Sequence, residues 1–165
     1  MAADLDKMEI LQKLWEWAEE NLTAEEMNNK LLLGRDYMGR TVWHMAAKND
    51  SIEVLQKIWK WAEEKIVPEV VKRSFLLAKD NMEKTYWHVV AECGNTGALD
   101  KLCKWVKSVL TLDELRNLLL EDKDQTGLTV WGWAESTGNS DLCYKLEDWV
   151  KERKIIQRQS AVYRR

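Results

Sequence analysis

The amino-acid sequence predicts an all-α fold, an α-solenoid of stacked helical repeats with about ten helices. Three observations predict it. The 165-residue chain is self-similar at a period of 44 residues without gaps: Asp36, Asp80 and Asp124 align, as do Thr41, Thr85 and Thr129, and Trp43, Trp87 and Trp131. A second row, Trp17, Trp61, Trp105 and Trp149, keeps the same spacing, with Leu14, Ile58, Leu102 and Leu146 three residues ahead of it. Residues that start helices also recur at fixed places in each period, whereas one Pro and seven Gly leave no linker to divide the chain. A single repeat domain over 1–165 follows, with a partial repeat 1–35, repeats 36–79 and 80–123, and a C-terminal repeat with a basic tail, 124–165.

Each element of the unit has its own signal. The segment from Thr41 to Lys48 is short and apolar and opens with a hydroxyl residue suited to cap a helix. We name this position helix A. A break follows at Asn49-Asp50, matched by Gly94-Asn95 and Gly138-Asn139, where Gly suits the left-handed residue past a helix end and Ser51, Asn95 or Asn139 suits the next cap. Helix B is expected from about Ile52 to Glu64, with two overlapping apolar stripes: Leu55, Ile58, Trp59, Ala62 and Val54, Ile58, Trp61. Two stripes imply neighbours on two sides. Helix C supplies one of them: Thr23-x-x-Glu26 and Thr111-x-x-Glu114 are capping boxes, and the aligned Val67-Pro68 sets Pro at a first helical position. It ends in Leu31-Leu32-Leu33, Phe75-Leu76-Leu77 and Leu118-Leu119-Leu120, the last shifted by one.

The run Asp36, Gly39, Thr41, Trp43, His44, Ala46, Ala47, followed by Glu53-Val54-Leu55, resembles the ankyrin-repeat signature. Asp80, Thr85, His88 and Ala91 repeat it, and so do Asp124, Gly127, Thr129 and Ala134. The unit departs from that family in length, 44 residues against about 33. Val42, Tyr86 and Val130 replace its Pro, Trp43, Trp87 and Trp131 replace the following Leu, and Gly132 stands where the other copies have His. The extra residues fit an added helix C and a longer helix B. The resemblance implies stacked repeats, Thr41–His44 and Thr85–His88 hydrogen bonding, and a binding face built from loops and helix A.

Composition excludes several classes. The start MAADLDKMEI has no apolar leader core, and no run approaches the ~18 apolar residues of a membrane span, so a cytoplasmic protein is expected, with the nucleus as second choice. Cys93, Cys103 and Cys143 show no metal-ligand spacing and read as reduced core residues. The net charge of -3 is uneven: the last fifteen residues carry +5, leaving about -8 for the body, a poor match for nucleic acid. His44 and His88, one period apart, would stand about 10 Å from each other in stacked units, too far to share a metal. No phosphate loop, nucleophile elbow or HExxH is present. The expectation is a monomeric, non-enzymatic chain with no cofactor and no small-molecule substrate.

Positions that vary while the framework repeats are where a repeat protein can place specificity. In the loops these are Arg35, Tyr37, Met38 and Arg40; Lys79, Asn81, Met82 and Lys84; Lys123, Gln125, Thr126 and Leu128. On the outward side of helix A they are Met45 and Lys48, Val89 and Glu92, Trp133 and Ser136. Tyr, Trp, Met and Arg are enriched in protein interfaces, so binding of a protein partner is expected there. The recurring cations are either a solvated edge or a basic ridge for an acidic partner. Two other functions fit less of the sequence: association with nucleic acid through the basic tail, and an engineered or purely structural repeat with no natural partner.

Overall fold

The computed structural model describes residues 2–65, 74–97, 99, 105 and 109–149, and these form helices joined by turns, with no strand among them. Helix α1 spans Ala2–Asn21, and α2, Ala24–Glu26, runs on into a wider π-helical stretch, Met27–Leu32. Then come α3 (Val42–Lys48), α4 (Ile52–Lys65), α5 (Tyr86–Cys93), α6 (Leu112–Leu120) and α7 (Val130–Ser136). Residues 74–77 and 140–149 are also helical. The all-α expectation holds. The Val67-Pro68 helix start, Cys103 and the basic tail lie outside the described residues.

The helix ends follow local chemistry. Thr23 and Glu26 form the anticipated box, with Thr23 N donating to Glu26 Oε2 at 3.1 Å and Glu26 N to Thr23 Oγ1 at 3.3 Å. Thr111 and Glu114 repeat it at 2.9 and 3.3 Å. The left-handed residue after helix A is Gly94 (φ 71°) and Gly138 (φ 66°), while Asp50 (φ 49°) takes that strained conformation in the first copy. Asn139 Oδ1 accepts from Leu142 N at 3.0 Å as a cap, but the Ser51 hydroxyl donates weakly to the Asn49 carbonyl, 3.5 Å away.

Helix α5 packs against both α3 and α7, and the core runs through all of these elements. Indoles fill it in a recurring geometry. Trp15 stacks on Trp61 with ring centroids 4.0 Å apart and planes 9° apart; Trp59 stacks on Trp105 at 5.0 Å and 8°. Both partners of the first pair lie one period before those of the second, so the same side chains meet twice in register. Within a unit, Trp43 lies 5.8 Å from Phe75 and edge-on to Trp59 at 6.2 Å.

The aligned tryptophans are not buried alike, and the reading of the cysteines as core residues needs correction. Trp61 and Trp149 are buried, but the aligned Trp17 is 56% exposed, and Leu14 is 49% exposed where Ile58 and Leu146 are enclosed. The reason is packing: Trp61 has Trp15 lying on it, and none of the described residues covers Trp17 in that way. Cys93 is exposed rather than core, because it ends α5 at the position of the exposed Asn49 and Thr137. Cys143 is half-buried.

Candidate interaction surface

The loops before each helix A are built by one aspartate each. Asp36 Oδ1 accepts from Met38 N and Arg40 N, both at 2.9 Å; Asp80 Oδ1 from Met82 N and Lys84 N at 2.8 and 2.9 Å; Asp124 Oδ1 from Thr126 N and Leu128 N at 2.8 and 3.2 Å. The backbone closes each turn, with Gly39, Glu83 and Gly127 donating to the three Asp carbonyls at 2.9 to 3.0 Å. That closure needs a left-handed residue, and φ is 74°, 59° and 82° at those positions.

Successive loops are tied to one another. Asn81 N donates to the Met38 carbonyl at 2.9 Å, and Gln125 N to the Met82 carbonyl at 3.0 Å. Side chains add rungs: Asn81 Nδ2 to the Tyr37 carbonyl at 3.2 Å, and Gln125 Nε2 to the Asn81 carbonyl at 2.9 Å. Asn95 Nδ2 reaches the Ala47 carbonyl at 2.7 Å and Asn139 Nδ2 the Gly94 carbonyl at 3.1 Å, joining the helix A ends.

The histidines stitch this frame from inside. Thr41 N donates to His44 Nδ1 at 3.2 Å, which makes Nδ1 an acceptor and leaves the proton on Nε2, facing the Lys84 carbonyl at 3.0 Å. His88 repeats the arrangement with Thr85 N at 3.1 Å and the Asp122 carbonyl at 3.2 Å. Desolvation pushes both imidazoles below their ordinary pKa, against the opposing pull of those carbonyls, so they are held neutral. With both nitrogens of each ring engaged, neither histidine is poised for chemistry. Among the described residues no group of His, Cys, Asp or Glu could hold a metal ion, and no helix is long and apolar enough to cross a membrane.

The residues singled out from sequence divide into two sets. Most of the cations are occupied by the chain itself. Arg35 Nη1 donates to the Gly39 carbonyl at 2.9 Å and to the Lys79 carbonyl, while Arg40 grips Asp36 Oδ2 through Nε at 2.8 Å and Nη2 at 2.7 Å. That grip holds the Asp36 carboxyl below its usual range. Lys79 pairs with Asp122 at 2.6 Å, and Lys84 pairs with Glu92 at 2.8 Å while lying 4.3 Å over the Trp133 ring. Trp133 is half-buried and its Nε1 donates to Asp124 Oδ2 at 2.8 Å. Desolvation works against ionisation of Asp124, but bonds from Thr126 and Trp133 outweigh it and lower its pKa. Val89 is 7% exposed, not outward-facing, because its helix is sandwiched between α3 and α7.

The second set faces solvent. Tyr37 is 88% exposed, and Met38, Met45 and Met82 are each more than a third exposed. Lys48, Asn81, Glu92, Lys123, Gln125, Thr126 and Ser136 are exposed around them, and Leu128 is half-buried. The loop ladder brings Met38 and Met82 side by side, since Asn81 is bonded to Met38 and precedes Met82. Sequence reasoning missed the Asp122 partner of Lys79 and the packing of Lys84 on Trp133, both between residues far apart in the chain, as well as the Lys84–Glu92 pair. It also missed the Trp15 and Trp59 row, which the 44-residue period does contain. No protein-family model matches the chain, and no curated protein is detectably similar to it.

Proposed function

We propose that this protein is an interaction module: a stack of lengthened ankyrin-like repeats, forming an α-solenoid over residues 1–165, that binds a polypeptide partner through its loop edge and does no chemistry on it. The observation that carries this reading is the exposed Tyr37, Met38 and Met82 on loops locked to each other by backbone hydrogen bonds, with Met45 exposed on α3. Loops already held in one conformation give up little further freedom on binding, so apolar contacts made there translate more fully into affinity. Methionine adapts its shape to the partner, and tyrosine offers a flat apolar face with a polar tip. With Arg40, Lys79 and Lys84 engaged by the chain's own carboxylates, apolar contact rather than a basic ridge selects the partner. In this reading the protein acts in the cytoplasm as a monomer, with no cofactor and no small-molecule substrate.

Affinity capture from native lysate tests it, comparing the wild type with the combined Tyr37→Ser, Met38→Ser and Met82→Ser variant. Each residue is exposed, so the variant should melt with the wild type while partner recovery falls at least tenfold, as expected when contacts worth about 1 kcal/mol each are lost. Equal recovery of the same partner by both proteins would remove this surface from consideration.

A further inference from the structure

In the middle loop the residue that closes the turn is Glu83, where the aligned loops have glycine. Gly39, Glu83 and Gly127 each donate a backbone N–H to the carbonyl of the loop aspartate, and all three are left-handed, with φ of 74°, 59° and 82°. A Cβ makes that conformation costly, so Glu83 occupies a position where the fold favours glycine. The turn does not need the carboxylate, since its hydrogen bond comes from the backbone. Nor is a polar side chain by itself the reason. Aspartate and asparagine enter the left-handed region more readily than glutamate, and Asp50 does so at φ 49°.

Inside the chain the Glu83 carboxylate has little to hold. Among the described residues its one ionic partner is Lys79, with Oε2 3.5 Å from Nζ, and the Glu83 side chain is 54% exposed. Lys79 already meets Asp122 at 2.6 Å, and that bond, before Glu83, pushes the Lys79 pKa above its ordinary value. One ammonium beside two carboxylates leaves a negative charge over at the surface. An exposed pair at 3.5 Å contributes too little to offset a strained backbone. The strain therefore stands without a compensating contact in the fold, the condition under which a strained residue marks function.

Its place says what that function touches. Asn81 N is bonded to the Met38 carbonyl and Gln125 N to the Met82 carbonyl, so Glu83 follows directly on the exposed Met82 and stands between two loops of its own chain. Both neighbouring loops are among the described residues, and its exposure does not come from a missing neighbour in the row of loops.

We infer, on the reading of the loop edge as the binding surface, that Glu83 is a specificity-determining residue which selects a partner segment where a lysine or arginine adjoins an apolar side chain. The apolar side chain lies on Met38 and Met82. The cation meets the carboxylate as the partner displaces water from around it, which strengthens the pair. A neutral or acidic residue at that place leaves the carboxylate desolvated without a partner or against a like charge, so rejection as well as attraction sets the choice.

A random peptide library displayed on phage supplies the probe. Clones are panned on the wild-type 165-residue protein after depletion on the combined Tyr37→Ser, Met38→Ser and Met82→Ser variant, which leaves those that use the loop edge. Their sequences should be enriched in lysine or arginine beside apolar residues, and panning on Glu83→Gln should lose the basic enrichment while keeping the apolar one. A synthetic peptide of the most frequent clone, followed by fluorescence anisotropy, should bind Glu83→Gln and Glu83→Gly about three- to fivefold more weakly at low salt, with the difference shrinking at high salt. Glu83→Gly should melt no lower than the wild type, because it relieves the left-handed strain, so its weaker binding does not come from unfolding. Retained clones without basic enrichment, or enrichment that survives Glu83→Gln, would overturn the role of Glu83 and leave the loop edge standing. Failure to retain any clone that distinguishes the wild type from the triple variant would overturn both.

Discussion

Trp17 and Trp61 hold the same place in consecutive periods, yet one is 56% exposed and the other 6%. Replacing each with Ala therefore separates burial from sequence position. Trp61→Ala removes an indole that stacks on Trp15 at 4.0 Å, and a buried Trp→Ala change costs roughly 3 to 5 kcal/mol through lost transfer energy and the cavity left behind. About 0.5 to 1.5 kcal/mol of that belongs to the ring pair and should appear as coupling in a cycle with Trp15→Ala. Trp17→Ala removes an exposed ring and should cost about 0.5 kcal/mol or less. Urea unfolding followed by far-UV circular dichroism avoids the change in tryptophan emission. With a slope of ~2 kcal/mol/M, the Trp61 variant should lose at least ~1.5 M in midpoint and the Trp17 variant ~0.3 M or less. Equal shifts would refute the claim that unit-to-unit stacking, and not the repeated residue itself, makes these indoles stabilising.

Acid should weaken the fold through its two buried histidines. His44 and His88 have folded pKa values pushed below the ordinary 6.5, so the unfolded chain binds protons that the folded one refuses. Their contribution is complete above pH 6.5 and is lost as pH falls through the lower folded values. The lowered Asp36 and Asp124 act with the same sign, but only below their ordinary 3.8. Urea midpoints should drop between pH 7.5 and 5, less steeply for His88→Gln, and a flat profile would contradict the assignment of buried neutral rings. In the loops, Glu83→Gly should relieve left-handed strain and raise the midpoint by up to about 1 kcal/mol equivalent, since φ is 59° there. Gly39→Ala should cost more than Gly127→Ala, because the added Cβ would lie 2.9 Å from Asn81 N and closer still to its side chain, whereas at Gly127 it meets open space. Urea midpoints that rank Gly127→Ala as the costlier change would show that the loop ladder is not the constraint.

Features written within a few residues of each other were legible. The Thr23 and Thr111 boxes, the extents of α3 and α4, and the left-handed Gly94 and Gly138 depend on interactions of short span that the sequence pattern contains. The bonding of Thr41 to His44 and of Thr85 to His88 was legible for the same reason. The candidate surface was legible only as a set of variable positions. Which of them face solvent is decided by partners 40 or more residues away: Arg35 by the Lys79 carbonyl, Lys79 by Asp122, and Lys84 by the Trp133 ring.

By itself, then, the sequence determined that helices recur every 44 residues and how each begins and ends, because capping and turn formation are local and repeat wherever the residues do. Tertiary structure alone decided which copy of a repeated side chain is enclosed. Burial depends on what is stacked above a residue, so Trp17 and Trp61, Met45 and Val89, and Leu14 and Ile58 differ in exposure although the period treats each pair alike.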